Sequence, residues 1–236
     1  MCIMVFPQLA ISLDKQLDYF KEFQALLVGM FGETNSSSIL SDGLYIIGAG
    51  SSDFLQNYYI NPLLRVTNPF DQFSNILLQN FVVFVQNLYG MGAKKIGVVN
   101  LPPLGCLPGA ITLFGFGSNE CVERLNIDAI SFNRKLNSTS QRLRRTLSGL
   151  NLVVLDIYQP LYDLVTSPAE YGFSEARKGC CGTGLLETSI LCNPLSVGTC
   201  TNASEYVFWD AFHPSEAANN ILATSLISAG SSLIFP

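Results

Sequence analysis

The amino-acid sequence predicts a single α/β domain, residues 1–236, in which a parallel sheet is covered by helices on both faces. Three observations carry that expectation. The apolar runs Leu44–Ile47, Ile96–Leu101 and Leu152–Ile157 are short enough to be strands, and each ends in a break of pattern. Segments with apolar residues three and four apart separate them. Strands apolar on both faces belong in a buried parallel sheet, and helical segments between them supply its crossovers. Composition is the third: 236 residues, 48% hydrophobic and only 13% charged, suffice for a sizeable core.

The elements follow in order. Leu13, Leu17, Phe20, Phe23, Leu27 and Met30 form a helical stripe ended by Gly32. The first strand then runs into Gly48 and Gly50. Phe73, Ile76, Leu77, Phe81, Phe84 and Leu88 make a second stripe, stopped by Gly90 and Gly92, before a strand halted by Pro102 and Pro103. The longest stripe, Val122 to Leu147, closes at Gly149 and leads into the third strand. A fourth helix follows His213, with Pro214 expected at its first position and Glu216 in its first turn.

Charge narrows the partners. A net charge of -5 argues against nucleic acid. Arg134, Lys135, Arg142, Arg144 and Arg145 read as a solvated helix face rather than an anion site. No apolar run reaches membrane-spanning length, so no stable membrane anchor is expected. Met1–Phe6 is apolar, but Pro7 interrupts it and no basic residue precedes Lys15, unlike a secretory leader. Cys106, Cys121, Cys180, Cys181, Cys192 and Cys200 can form three bridges and leave Cys2 over, with connectivity open. No histidine stands near them at metal-ligand spacing, so neither a metal site nor a cofactor is expected. Disulfides and the sequons at Asn35, Asn137 and Asn202 point to an oxidising, extracellular setting.

The stretch Tyr206–Glu216 holds the only histidine and the only tryptophan. Asp210 precedes His213 by three residues, in a tight loop feeding a helix. A carboxylate there can reach the near ring nitrogen, fix the tautomer and leave the other nitrogen as a general base. Spacing alone better fits a histidine that caps a helix beside a solvated aspartate, because a lone D-x-x-H is a weak signal.

The sequence Phe208-Trp209-Asp210-Ala211-Phe212-His213-Pro214 resembles the last block of the plant GDSL esterase/lipases, in the SGNH hydrolase superfamily. Gly50-Ser51-Ser52-Asp53-Phe54, Leu101-Pro102-Pro103-Leu104-Gly105-Cys106 and Gly179-Cys180-Cys181-Gly182-Thr183-Gly184 are similar to other stretches of that family, in its order. The resemblance implies a three-layer α/β/α, flavodoxin-like fold and an acyl-ester substrate, with His213 and Asp210 catalytic. It places Gly50 and Ser52 at the oxyanion hole, Ser52 standing where the family's G-x-N-D block has asparagine; a hydroxyl donates with shorter reach.

The family's nucleophile is the serine of a Gly-Asp-Ser block after the first strand. No such triplet occurs in this sequence, and no G-x-S-x-G elbow replaces it. The chain is therefore expected to be an N-terminally truncated member, missing its first strand or strands, with no nucleophile, an apolar unpaired sheet edge and little or no activity. Alternatives are Ser51 or Ser52 as nucleophile, or a non-catalytic remnant of the fold binding a lipid or glycan.

Overall fold

The computed structural model describes residues 11–188, 191–193 and 196–235. The apolar start Met1–Phe6 and Cys2 lie outside the described residues. In chain order the elements are α1 (Leu13–Asp42), β1 (Leu44–Ile47), α2 (Pro62–Thr67), α3 (Phe70–Gly90), β2 (Lys95–Val99), α4 (Pro108–Phe114), α5 (Glu123–Thr146), β3 (Asn151–Leu155), α6 (Tyr158–Thr166), β4 (Glu175–Gly179), β5 (Tyr206–Phe208), α7 (Glu216–Ala229) and α8 (Ser231–Ile234). A π-helical turn over Asp53–Tyr58 follows β1. The chain divides into two compact units.

The sheet unit comprises residues up to Val99, Phe132–Leu155 and Gly230 onward. Its three strands are parallel, in the order β1-β2-β3, with Tyr45 beside Ile96 and Ile96 beside Leu152. On one face Ile47 and Val98 line a small cavity together with Leu77 and Phe81 of α3 and Phe132 and Leu136 of α5. On the other, Gly97 makes room for α8. A Cβ there would lie 2.8 to 3.3 Å from side-chain atoms of Ile46, Leu155 and Leu233. Within this unit α8 is a single turn, too short to cover three strands, and Ile46 and Leu44 stay 54% and 47% exposed. Among the described residues β1 pairs only with β2, so an apolar edge is present.

The stripes on α3 and α5 are buried as their spacing predicts, with Phe73, Leu77 and Leu88, then Leu125, Ala129 and Leu136, in the core. The first stripe behaves differently. Leu17 and Leu27 are buried, but Phe23 and Met30 are 48% and 72% exposed. Nor does Gly32 end the helix. It kinks it, at φ 75° and ψ 166°, and Glu33–Asp42 resumes as a second helical stretch.

The disulfide unit comprises Asn100–Ser131 and Asp156–Ala229. It holds α4, α6, α7 and a parallel pair, β4 with β5, that periodicity did not reveal. All three bridges lie here: Cys106–Cys121, Cys180–Cys200 and Cys181–Cys192. They close loops of 11 to 20 residues, a span over which one crosslink contributes about 3 kcal/mol by constraining the unfolded chain.

Candidate active site

The Asp210 loop is built by hydrogen bonds from both sides. Strand β5 leads into it, and the chain folds back so that the Trp209 N–H donates to the His213 carbonyl (2.8 Å) and the Ser215 N–H to the Val207 carbonyl (2.8 Å). Pro214 sits opposite Phe208 in that antiparallel bridge. It is thus outside the helix rather than at its first position. Ser215 takes the cap instead, its Oγ accepting from the Ala218 N–H at 3.1 Å. Proline suits the bridge because its missing N–H faces no acceptor there.

Neighbouring segments clamp the loop. The Gly109 N–H donates to the Ala211 carbonyl (2.9 Å), and the Ala211 N–H to the Glu187 carbonyl (3.0 Å). Gly179 of β4 lies so close that a Cβ would come within 2.7 to 2.8 Å of the Asp210 backbone. Gly109 likewise yields to the Phe212 ring, at 2.6 Å from its putting on a Cβ. These glycines serve packing; neither has a positive φ.

Inside this frame Asp210 is 3% exposed, and every bond it makes is to an N–H or hydroxyl. One oxygen accepts from the backbone N–H groups of Phe212 and His213, both at 2.8 Å. The His213 Nδ1 approaches both oxygens, at 2.9 and 2.8 Å. Thr188, which spacing gave no reason to suspect, donates its hydroxyl to the second oxygen at 3.3 Å. Burial pushes the Asp210 carboxyl up, but the His213 ring and the two N–H groups outweigh it and hold the group below the usual aspartate range. In return the hydrogen bond that the His213 Nδ1–H donates to Asp210 outweighs partial burial and raises the His213 pKa above 6.5. The His213 side chain is 66% exposed. A buried, oriented carboxylate thus grips Nδ1 of a ring that is otherwise largely exposed, an arrangement that can serve a general base and its orienting acid.

Glu187 supports the loop from behind. Its carboxylate accepts from the Thr183 N–H and hydroxyl and from the Leu185 and Leu186 N–H groups; burial raises its pKa, but the bonds from Thr183, its own N–H and the Leu186 N–H lower it to about 2.

Gly50 and Ser52 belong to the sheet unit. Gly50 has φ 119°, a conformation glycine tolerates, and its carbonyl accepts from the Phe54 N–H at 3.1 Å. Phe54, fully buried between Phe73 and Phe132 at ring distances of 5.5 and 5.2 Å, anchors the turn. Gly48–Asp53 and the start of α1 line an open pocket of about 200 Å³. Ser52 is exposed, whereas Asp53 is buried and its Oδ1 has no hydrogen-bond partner among the described residues. Burial pushes the Asp53 carboxyl up to about 6. Among the described residues no three metal-binding side chains come together.

The sequence pattern of the GDSL-like Lipase/Acylhydrolase family matches residues 9–226. A GDSL esterase/lipase of Arabidopsis thaliana is 61% identical over 228 residues, which are 95% of this chain and 63% of the relative. The Arabidopsis GDSL esterase/lipase APG is 54% identical over 226 residues, 95% of this chain and 64% of its own. The Arabidopsis GDSL esterase/lipase EXL3 is 37% identical, over 92% of this chain and 60% of its own. The chain spans less than two thirds of the length of these relatives, and it belongs to the GDSL-like lipase/acylhydrolase family.

Proposed function

We propose that this chain carries the acid–base half of a serine ester hydrolase acting on acyl esters. The observation that carries the reading is the Asp210–His213 pair, with a buried carboxylate 2.8 Å from Nδ1. In the proposed reaction a serine hydroxyl attacks the acyl carbonyl while His213 Nε2 takes its proton. His213 then passes that proton to the leaving alcohol, and water repeats the sequence on the acyl-enzyme. Asp210 holds the tautomer and stabilises the imidazolium. We assign Gly50 and Ser52 to oxyanion stabilisation, supported by their place in the turn after β1 and by the family motif. Both units are taken as parts of one hydrolase domain, since the family match runs through both.

These 236 residues contain no Gly-Asp-Ser triplet. The chain by itself is therefore proposed to be inactive or weakly active, because losing the nucleophile of a serine hydrolase costs roughly a millionfold in turnover. The same observation favours a second reading, a non-catalytic remnant that binds a lipid or glycan. Three disulfides support an oxidising, extracellular location, and the exposed Asn35, Asn137 and Asn202 support glycosylation. No helix among the described residues is long and apolar enough to cross a membrane.

The test uses the purified chain, a fluorophosphonate probe and a short-chain nitrophenyl ester. Negligible labelling and turnover are expected. Stoichiometric labelling with turnover that collapses in His213→Ala would overturn the inactivity and point to Ser51 or Ser52. Labelling and turnover that survive His213→Ala would overturn the role of the pair.

A further inference from the structure

The disulfide unit holds an open pocket of about 340 Å³ that shares no lining residue with the Asp210–His213 pair. Its aromatic wall is Tyr158 and Tyr162, one turn apart on α6. Their rings are stacked, with planes 13° apart and centroids 5.9 Å apart, so the pair offers a single aromatic block to the pocket. The start of α6 is fixed by side chains. Asn100 Oδ1 accepts from the Ile157 N–H at 2.9 Å and the Tyr158 N–H at 3.3 Å. Asp156 Oδ1 accepts from the Tyr158 N–H at 3.0 Å and from Asn100 Nδ2 at 2.7 Å. The shelf is thus set before any ligand arrives, which limits the ordering needed on binding.

The polar lining includes the carboxylates of Glu120 and Glu123 and the guanidinium of Arg177. Arg177 is steadied by Cys121 Sγ at 2.9 Å and Glu120 at 3.4 Å. Glu123 is exposed and has no cationic partner among the described residues. Burial first, and then Tyr162, push the Tyr158 phenol up to about 12, so it remains a protonated donor.

Each part matches one part of a sugar ring. The C–H face of a pyranose lies on an aromatic ring, and its hydroxyl rim pairs with planar carboxylates and guanidinium groups. The volume falls within the range of small-ligand sites. Two carboxylates against one guanidinium make the rim net negative, which disfavours acidic sugars. We infer that this pocket binds a neutral pyranose unit of a glycan, its C–H face against the stacked Tyr158–Tyr162 pair and its hydroxyls on Glu120, Glu123 and Arg177. Such binding stands whether or not the chain hydrolyses esters.

The experiment is calorimetry and saturation-transfer NMR on the full 236-residue chain. Cellohexaose, xylohexaose and mannohexaose serve as neutral probes and a galacturonate oligomer as the acidic one. At least one neutral oligomer is expected to bind at millimolar concentration, in preference to galacturonate. Tyr162→Ala is expected to weaken it about tenfold, with Tyr162→Phe near wild type. Glu123→Ala, at an exposed position, is expected to weaken it by a similar factor without affecting folding. His213→Ala should bind as wild type. Failure of all three neutral oligomers to bind, equal binding of galacturonate, or wild-type affinity in Glu123→Ala would each overturn the inference.

Discussion

Replacing Gly179 by alanine strikes the Asp210 loop without touching either member of the pair. The new Cβ would stand 2.7 Å from the carbonyl carbon, and 2.8 Å from both Cα and O, of Asp210. Carbon atoms pack best at about 3.5 to 4.0 Å, so β4 and the loop must separate by roughly 0.7 Å or more. Neither side gives easily. The Gly179 N–H is held by the Gly184 carbonyl at 2.8 Å, and the next residue's N–H by the Phe208 carbonyl at 3.0 Å. Overpacking of this kind costs about 1 to 3 kcal/mol. For a chain of this size that lowers Tm by roughly 2 to 12 °C. Gly90→Ala is the control, because nothing lies within 4 Å of its Cβ position and its φ is not positive. It should be neutral or slightly stabilising. The second readout is the His213 titration, which a displaced Asp210 should bring back toward 6.5. A Gly179→Ala protein that melts and titrates as wild type would refute the packing argument.

Other expectations follow from the same geometry. Asp53→Asn removes a buried carboxyl whose folded pKa, about 6, lies above its ordinary value. The proton-linked stability of such a group is complete below its unfolded pKa of 3.8 and is lost as pH rises through 6. Urea unfolding should therefore show Asp53→Asn gaining on wild type between pH 4 and 7, and a difference independent of pH would contradict this. Glu187 has the opposite sign. Its stabilisation is present above its unfolded pKa of 4.5 and lost as pH falls toward 2, so Glu187→Gln should be destabilised at pH 7, with the gap closing in acid. Removing the Cys106–Cys121 bridge by paired serine substitution should lower stability by about 3 kcal/mol, read as a shifted denaturant midpoint.

The sheet unit was legible because its signals are local. An apolar run of four to six residues marks β1, β2 and β3, and the 3.6-residue period marks α3 and α5. The stripe on α1 misled. Periodicity reports which residues share a helix face, not whether anything packs on it, and glycine at a positive φ can kink a helix instead of ending it. In the disulfide unit the controlling contacts are distant in sequence. Strand β4 reads Glu-Ala-Arg-Lys-Gly and carries no apolar pattern, and β5 has three residues. Thr188 reaches Asp210 across 22 positions, and which cysteines pair depends on the same long-range folding. Asp210 and His213 were visible because only three residues separate them. The turn chemistry between them was not, for Pro214 and Ser215 both suit the start of α7 and only the bridge to Phe208 decides between them.

The hydrolase chemistry proposed for this chain stands on the coupling of Asp210 to the imidazole. His213 is the only histidine, so one set of ring signals in an NMR pH titration reports it without assignment. A pKa above 6.5 is expected in the wild-type chain, with a drop to or below 6.5 in Asp210→Asn, where the charge is gone. A wild-type value at or under 6.5 that Asp210→Asn leaves unmoved would contradict it.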